Sequence, residues 1–361
     1  MVDTMALLPS FIRPTRMTRR SARLAGRPPA GDEVVLDAPD DRLSPALVAA
    51  GRGEYDTAAG LLAGTRAAAA WENHDRYVRR LAGFARSRPE WFEAWRAAAP
   101  DDPGALLVGA QLAVDRAWPS PGRTELLREA SPLVTAAARA DDRDPVPWRI
   151  ALDHARGSRA GHRYFEELWE AAVRRAPHHY GCHVAALRYL AAFCCVVSGD
   201  TPHTSDGSHR ECFDFAERAA QDAPADSLVQ ALPARAAFGY LTDGCGPEVP
   251  RERLHAAADR AIALSARFPA ADPWTAEVRN KLLYVLMRLD RWEEARTQLR
   301  LIGPYATSFP WDRFSDDPLG HFLGLREHLL AAGPRPVPAG LVLAPADPVG
   351  EHRGHVRAGD H

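Results

Sequence analysis

Apolar residues recur at helical spacing through the middle of the chain, between about residues 41 and 332. Three stretches show this pattern most clearly, with apolar positions three and four residues apart: Leu126, Leu127, Ala130, Leu133, Val134 and Ala137; Phe165, Leu168, Trp169, Ala172 and Val173; and Leu282, Leu283, Leu286, Met287 and Leu289. Runs that alternate apolar and polar residues, typical of half-buried strands, are nearly absent. The pattern predicts roughly twelve to fourteen helices joined by short turns, an all-α protein.

Prolines punctuate this helical region at fairly regular intervals. They stand at Pro100, Pro145, Pro177, Pro224, Pro269 and Pro304, with separations of 45, 32, 47, 45 and 35 residues. Such intervals bracket the periods of helix–turn–helix repeats. A helical hairpin cannot bury its apolar face alone, so hairpins stack on one another and bury a shared core.

Local signatures of tetratricopeptide-like hairpins support this prediction. In 51–58 and 289–295 a turn is followed by an aromatic residue and, three positions later, by an alanine (Tyr55 with Ala58, Trp292 with Ala295). The alanine allows two helices to approach closely, and the aromatic ring fills the gap between neighbouring hairpins. The segment 144–177 has the length of a third hairpin. The sequence therefore predicts degenerate tetratricopeptide-like helical-hairpin repeats that form an α-solenoid.

A family resemblance rests on short segments spread along the helical region. They are 144–148 (DPVPW), 165–169 (FEELW), 176–179 (APHH), 186–189 (ALRY), 207–209 (GSH), 215–220 (FAERAA) and 303–307 (GPYAT). These segments resemble an actinobacterial family of tetratricopeptide-like proteins known only as a domain of unknown function, over most of residues 85–325. The resemblance implies a cytoplasmic helical-repeat protein and implies no activity. The chain departs from the family at 193–206, which reads as an insertion.

The two ends of the chain lack a helical period. Residues 1–40 hold six arginines between Arg13 and Arg27 and then an acidic stretch, which predicts a disordered Arg-rich tail or, alternatively, a basic arm for nucleic acid or anionic lipid. Residues 333–361 are rich in proline, glycine and histidine and predict a second disordered tail. The predicted domains are thus 1–40, 41–332 and 333–361.

Overall charge and cysteine content exclude several classes of function. The 45 basic residues against 47 acidic ones give a net charge of −2, so neither nucleic acid nor a membrane surface is an expected partner. No apolar run reaches the length of a transmembrane helix. Five cysteines without a C-x-x-C pair favour reduced thiols in a cytoplasm. Only Lys281 is a lysine, which indicates the codon bias of a GC-rich genome.

The strongest candidate chemistry is the segment His178, His179, Cys182 and His183. If a helix starts near His179, His179 and His183 stand at i and i+4 on one face, a spacing that allows both to coordinate a transition metal. His203, His209 or Cys212 could complete the site. The alternative is an ordinary helix start with histidines near a turn. The Cys194–Cys195 pair favours core packing over a nucleophile. No nucleotide or cofactor motif is present, so no cofactor is expected.

Aromatic residues suggest a second candidate site. Trp91 and Trp95 stand one helical turn apart beside Arg96, and they could contact a partner peptide in a concave groove. The interpretation that we favour is that both rings pack between hairpins in the core.

The most direct functional expectation is a non-enzymatic cytoplasmic adaptor that binds a protein or peptide segment on its concave face. The alternative is a small-molecule or metal-dependent enzyme that uses the His178–His183 segment with the 198–212 loop. An adaptor predicts a groove lined by arginines and aromatics, whereas an enzyme predicts a pocket where His, Cys and a carboxylate converge. A self-associating structural module would instead show a symmetric apolar patch.

Overall fold

The computed structural model describes residues 33–192, 209–243 and 248–331. Within these ranges the protein is all-α, with sixteen helical segments. They are α1 (Leu43–Gly51), α2 (Asp56–Ala67), α3 (Trp71–Ser87), α4 (Glu90–Ala98), α5 (Pro103–Ala117), α6 (Arg123–Ala140), α7 (Val146–Gly157), α8 (His162–Arg175), α9 (Tyr180–Ala191), α10 (His209–Asp222), α11 (Leu232–Asp243), α12 (Arg251–Ser265), α13 (Ala276–Arg288), α14 (Trp292–Ile302), α15 (Ser308–Trp311) and α16 (Pro318–Ala331). Two 3₁₀ turns, Leu228–Ala231 and Pro273–Thr275, precede α11 and α13.

Helices that follow one another in the chain pack against one another. The hairpins α1/α2 and α13/α14 coincide with the two segments that carry the hairpin signature, and α7/α8 coincides with the segment 144–177, which has the length of a hairpin. Ala58 and Ala295 are fully buried, as the close approach of paired helices requires. Tyr55 stacks on Trp95 of α4 with ring centroids 6.2 Å apart, so this aromatic does fill the gap to the next hairpin. The predicted all-α class with sequential helix pairs is confirmed.

The count exceeds the predicted twelve to fourteen helices because three segments are short. The four-residue α15 is a single turn and α1 and α4 have nine residues each, so a window of eleven or more residues does not resolve their period. No helix in the described ranges is long and apolar enough to cross a membrane.

The N-terminal segment is attached to the far end of the chain. Residues Val35–Leu36 (β1) pair in parallel with Tyr305–Ala306 (β2), and Asp37 accepts hydrogen bonds from the backbone N–H and hydroxyl of Ser308, 271 positions away. The sequence places residues 33–40 in a disordered tail, because local composition carries no information about a partner so distant. Residues 1–32 and 332–361 lie outside the described residues.

Two apolar cores meet at α9. Cys182, Ala185 and Tyr189 pack into the core built by α1–α8, whereas Val184 and Leu187 pack into the core built by α10–α16. Because α9 is apolar on both of these faces, it is buried along most of its length. It therefore forms the wall between the two halves of the molecule.

A buried arginine connects several helix ends in the C-terminal half of the molecule. The Arg279 guanidinium, fully buried, donates to the hydroxyl and carbonyl of Ser265, to the carbonyls of Phe268 and Pro269 after α12, and to the carbonyl of Leu301 in α14, over 2.9–3.0 Å. The Ser265 and Leu301 carbonyls lie at the C-terminal ends of α12 and α14, where the carbonyls of a helix need donors from outside it, and those of Phe268 and Pro269 lie in the loop that follows α12. Arg279 thus joins the ends of three helices.

We expect Arg279→Met to lower the free energy of unfolding by about 3 kcal/mol, because it removes the five hydrogen bonds that the buried Arg279 guanidinium donates. Arg300→Met is the matched control, since Arg300 is exposed at the end of α14 and bonds only to Thr297. The control should change stability by less than about 0.5 kcal/mol. Urea denaturation of both variants checks this, and equal effects would contradict the bridging role.

Candidate functional site

A cavity of about 710 Å³ lies between the two halves of the molecule. Its walls come from the 37–40 segment, α1, α3, α9, α11, the start of α13 and the 307–312 segment. The charged and aromatic side chains that line it are Asp37, Asp40, Glu72, Asp75, Arg76, Arg79, Arg80, Tyr180, Arg188, Arg235, Trp274, Glu277, Phe309 and Asp312. A cavity of this volume falls in the size range of ligand sites.

The wall formed by α3 is organised around a buried carboxylate. Asp75, 2% exposed, accepts from Arg149 Nε of α7 at 2.9 Å and from Arg79 one turn along its own helix. These two guanidiniums hold the pKa of the Asp75 carboxyl far below its usual range, despite the opposing effect of burial. A charge this deeply buried needs such partners, so the Arg149–Asp75–Arg79 triad is a structural unit.

The opposite wall holds a second paired group. Glu277 of α13 accepts from Arg235 NH1 of α11 at 2.9 Å and lies 3.3 Å from Lys281 Nζ. Lys281 in turn donates to the Tyr180 hydroxyl at 3.2 Å. The cations Lys281 and Arg235 lower the pKa of Glu277, which stays ionised. The single lysine of the chain is therefore a buried structural cation in this wall.

Two further arginines of the cavity lack a carboxylate partner. Arg76 lies 4.8 Å above the Trp274 ring, and no carboxylate of the described residues lies within ion-pair distance of it. The Arg188 guanidinium, half-buried on α9, has neither a hydrogen bond nor an ion pair with any described residue. Buried cations are normally paired, so these two positions differ from the rest of the wall.

Glu72 is the titratable group of the cavity. Its Oε1 accepts from the backbone N–H of Tyr180 at 2.6 Å, at the N-terminus of α9, and its Oε2 lies 3.8 Å from His179 Nε2. Burial raises the pKa of the Glu72 carboxyl to about 7, opposed by the Tyr180 hydrogen bond. Glu72 therefore changes charge near neutral pH.

The predicted histidine pair lies behind this wall. His179 caps α9: its Nδ1 accepts from the Cys182 N–H at 3.3 Å, and the ring is buried. His183 bonds through Nδ1 to the His179 carbonyl at 3.0 Å and packs edge-on against Trp169. Burial lowers the pKa of both imidazoles to about 4, so both are neutral at pH 7.

These contacts give each histidine a structural role at the start of α9, and neither contact involves a metal ion. Among the described residues, no three His, Cys, Asp or Glu side chains are grouped so that they could hold a metal ion. His203 of the 198–212 loop, as well as Cys194 and Cys195, lies outside the described residues. A metal at His179 and His183 thus stays a prediction without support from this geometry.

A histidine, a thiol and a carboxylate lie near one another here, but the Glu72 carboxylate is 3.8 Å from His179, beyond hydrogen-bond distance, and both His179 and Cys182 are buried. His179 Nδ1 lies 3.0 Å from Cys182 Sγ and its Nε2 faces Glu72. Cys182 is 1% exposed, and burial raises the pKa of its thiol well above the ordinary value. A thiol that is both protonated and inaccessible is a poor nucleophile.

The tryptophan pair lies in the core. Trp91 and Trp95 are 0% and 1% exposed and pack on each other with ring centroids 6.1 Å apart. The expectation that these two rings contact a partner is therefore corrected, because buried rings offer a partner no surface. Arg96, exposed on α4, stays a prediction.

Sequence reasoning missed the cavity residues, although a signal for them exists. Glu72, Asp75, Arg76 and Arg79 stand at i, i+3, i+4 and i+7, so charge follows one face of α3 at the same period as the core. Arg188 is the single Arg, Lys, Asp or Glu of α9, and Arg235 is the single one of α11 apart from its last residue, Asp243. Charged residues in such positions need a partner or a cavity.

We expect Glu72 to make the stability of the protein depend on pH. The pKa of Glu72 in the folded state, about 7, exceeds its value of about 4.3 in an unfolded chain, so its contribution is present at low pH and is lost as pH rises through 7. For a side chain that is 30% exposed, we expect the loss between pH 5 and pH 8 to be about 2 kcal/mol after screening.

Urea denaturation of the wild type and of Glu72→Gln at both pH values measures this contribution. The variant should lose about 2 kcal/mol less stability than the wild type between pH 5 and pH 8. Glu129→Gln, an exposed position on α6, is the control and should follow the wild type. Parallel dependences of stability on pH in all three proteins would contradict the raised pKa of Glu72.

Comparisons of the chain with models of protein families, with curated proteins and with solved structures find no match. The family resemblance stated from sequence segments is therefore not shown, and what is established is an all-helical protein whose helices pack in sequence.

Proposed function

We propose that this protein is a non-catalytic adaptor that holds an acidic peptide segment of a partner protein in the central cavity. The observation that carries the proposal is the composition of the cavity wall. The Trp274 ring lies under Arg76, and Phe309 lines the cavity together with Arg188; neither of these two arginines forms an ion pair with a carboxylate of the described residues. An acidic peptide offers carboxylates to such cations and apolar side chains to such rings.

The architecture supports the same proposal. We infer that the helical hairpins are degenerate tetratricopeptide-like repeats stacked as an α-solenoid, and that the cavity is its concave face. Solenoids of helical hairpins present extended concave surfaces, and peptides are a common occupant of such surfaces. A cytoplasmic location fits this function.

Selection from a displayed library of random peptides against the full-length protein tests the proposal. Ser44→Trp places a large side chain in the cavity from α1. Val48→Trp, at an exposed position one turn further along α1 that does not line the cavity, is the matched control. We expect the wild type and Val48→Trp to enrich peptides that contain Asp or Glu. We expect Ser44→Trp to bind the enriched peptides at least tenfold more weakly by fluorescence anisotropy, since the added indole occupies their site.

Equal thermal stability of the two tryptophan variants would show that the loss does not come from misfolding. The proposal fails if no peptide is enriched, or if Ser44→Trp and Val48→Trp bind the same peptides equally.

One observation favours an enzyme as the second candidate. Glu72, with a pKa of about 7, lies in the cavity in a position to exchange a proton with a ligand, and such groups are common in active sites. Mass spectrometry of an enriched peptide after incubation with the protein decides between the two. An unchanged mass supports the adaptor, whereas a new mass that Glu72→Gln abolishes supports an enzyme.

A further inference from the structure

A second, smaller cavity adjoins the first one at Arg188. It has a volume of about 130 Å³, and Arg188, Arg235 and Phe309 line both cavities. The apolar part of the smaller cavity is formed by Leu187, Ala191, Ala236, Phe238 and Phe309, and its other charged residues are Asp243 and Arg313. Arg188 thus stands at the junction of the two spaces.

The charges around this junction do not balance. Arg235 is neutralised by Glu277 at 2.9 Å, and Arg313 lies 3.6 Å from Asp243. Among the described residues, Asp243 is the one carboxylate that lines the smaller cavity, and it is paired with Arg313 and not with Arg188. One positive charge, that of Arg188, is left over, and its side chain lines both cavities.

The electrostatic surroundings of Arg188 are unfavourable for a cation. Burial and the like charges of Arg235 and Arg156 lower the pKa of the Arg188 guanidinium to about 9, opposed by Asp153. Asp153 itself pairs with Arg149 and Arg156 at 3.5 and 3.8 Å, so it does not neutralise Arg188. The guanidinium remains protonated at neutral pH, and an anion beside it would relieve both the desolvation and the repulsion.

We propose that Arg188, together with Arg235, binds an oxyanion at the junction of the two cavities, a carboxylate or a phosphate group of the ligand. The smaller cavity admits such a group, because its volume is well above the roughly 10–15 Å³ that one water molecule requires. Guanidinium donors are arranged in a planar fork that suits both oxyanions. The rest of the ligand extends into the larger cavity, and in this respect the inference rests on the proposed function.

The site is tested without knowledge of the ligand, with inorganic phosphate and acetate as probes. Isothermal titration and thermal melts are run for the wild type, Arg188→Met and Arg174→Met, with sodium chloride at equal ionic strength as the screening control. Arg174 is exposed on α8 outside both cavities, so its variant is the matched control. We expect the wild type and Arg174→Met to bind one of the two anions and to melt at a higher temperature in its presence.

Arg188→Met should bind the same anion at least tenfold more weakly and should lose the anion-dependent rise in Tm. In the absence of anions its Tm should equal or exceed that of the wild type, because an unpaired half-buried cation is removed. A structural role for Arg188 would lower this Tm instead. The difference between the phosphate and acetate titrations identifies which oxyanion the site takes.

The two proposals fail independently of one another. Anion binding that depends on Arg188, without any enriched peptide, supports the oxyanion site and removes the peptide adaptor. Peptides that Ser44→Trp rejects but Arg188→Met binds with full affinity support the adaptor and overturn the oxyanion site. An unaltered anion titration in Arg188→Met, or no anion binding by the wild type, also overturns it.

Discussion

A charge removed from water must find an opposite charge, and this constraint organises the centre of the molecule. Asp75 lies between the two apolar cores and is neutralised by Arg149 and Arg79. Its carboxylate approaches α9 so closely that a Cβ at position 181 would collide with it, which explains why Gly181 stands there. The N-terminus of α9, the partition between the cores, is thus placed by the Asp75 carboxylate and by the Glu72 hydrogen bond.

Several charged side chains of the cavity wall form ion pairs with other residues of the protein. Glu277 is satisfied by Arg235 and by Lys281, and the ammonium of Lys281 fits between Glu277 and the Tyr180 hydroxyl. At this buried position a compact ammonium group takes less room than a planar guanidinium. This difference gives a physical reason for the one lysine in a chain whose other 44 Lys or Arg residues are arginines. Arg76 and Arg188 are the exceptions, since neither forms an ion pair with a carboxylate of the described residues; Arg76 contacts Trp274, and Arg188 has no hydrogen bond with any described residue.

Access to solvent separates the functional alternatives more clearly than residue type does. The histidine, thiol and carboxylate that an enzyme would need do meet near His179, but Cys182 is buried and protonated. The arginines and aromatic rings that a binding protein would need line an open cavity. A functional site needs side chains that a ligand can contact. The arginines and aromatic rings of the cavity meet this condition and the Cys182 thiol does not, which favours binding over nucleophilic catalysis by this thiol.

The sequence by itself determined the helices, the hairpin turns and the alanines that permit close helix pairs, because each of these depends on residues within a few turns of one another. It also placed the start of α9 near His179 correctly. Only the tertiary structure decided which faces meet: Asp75 pairs with a residue 74 positions away, and Asp37 with one 271 away. The same limit applies to Trp91 and Trp95. Two aromatic residues one helical turn apart can line either a core or a groove, and only the packing of the neighbouring helices shows that these two lie in the core.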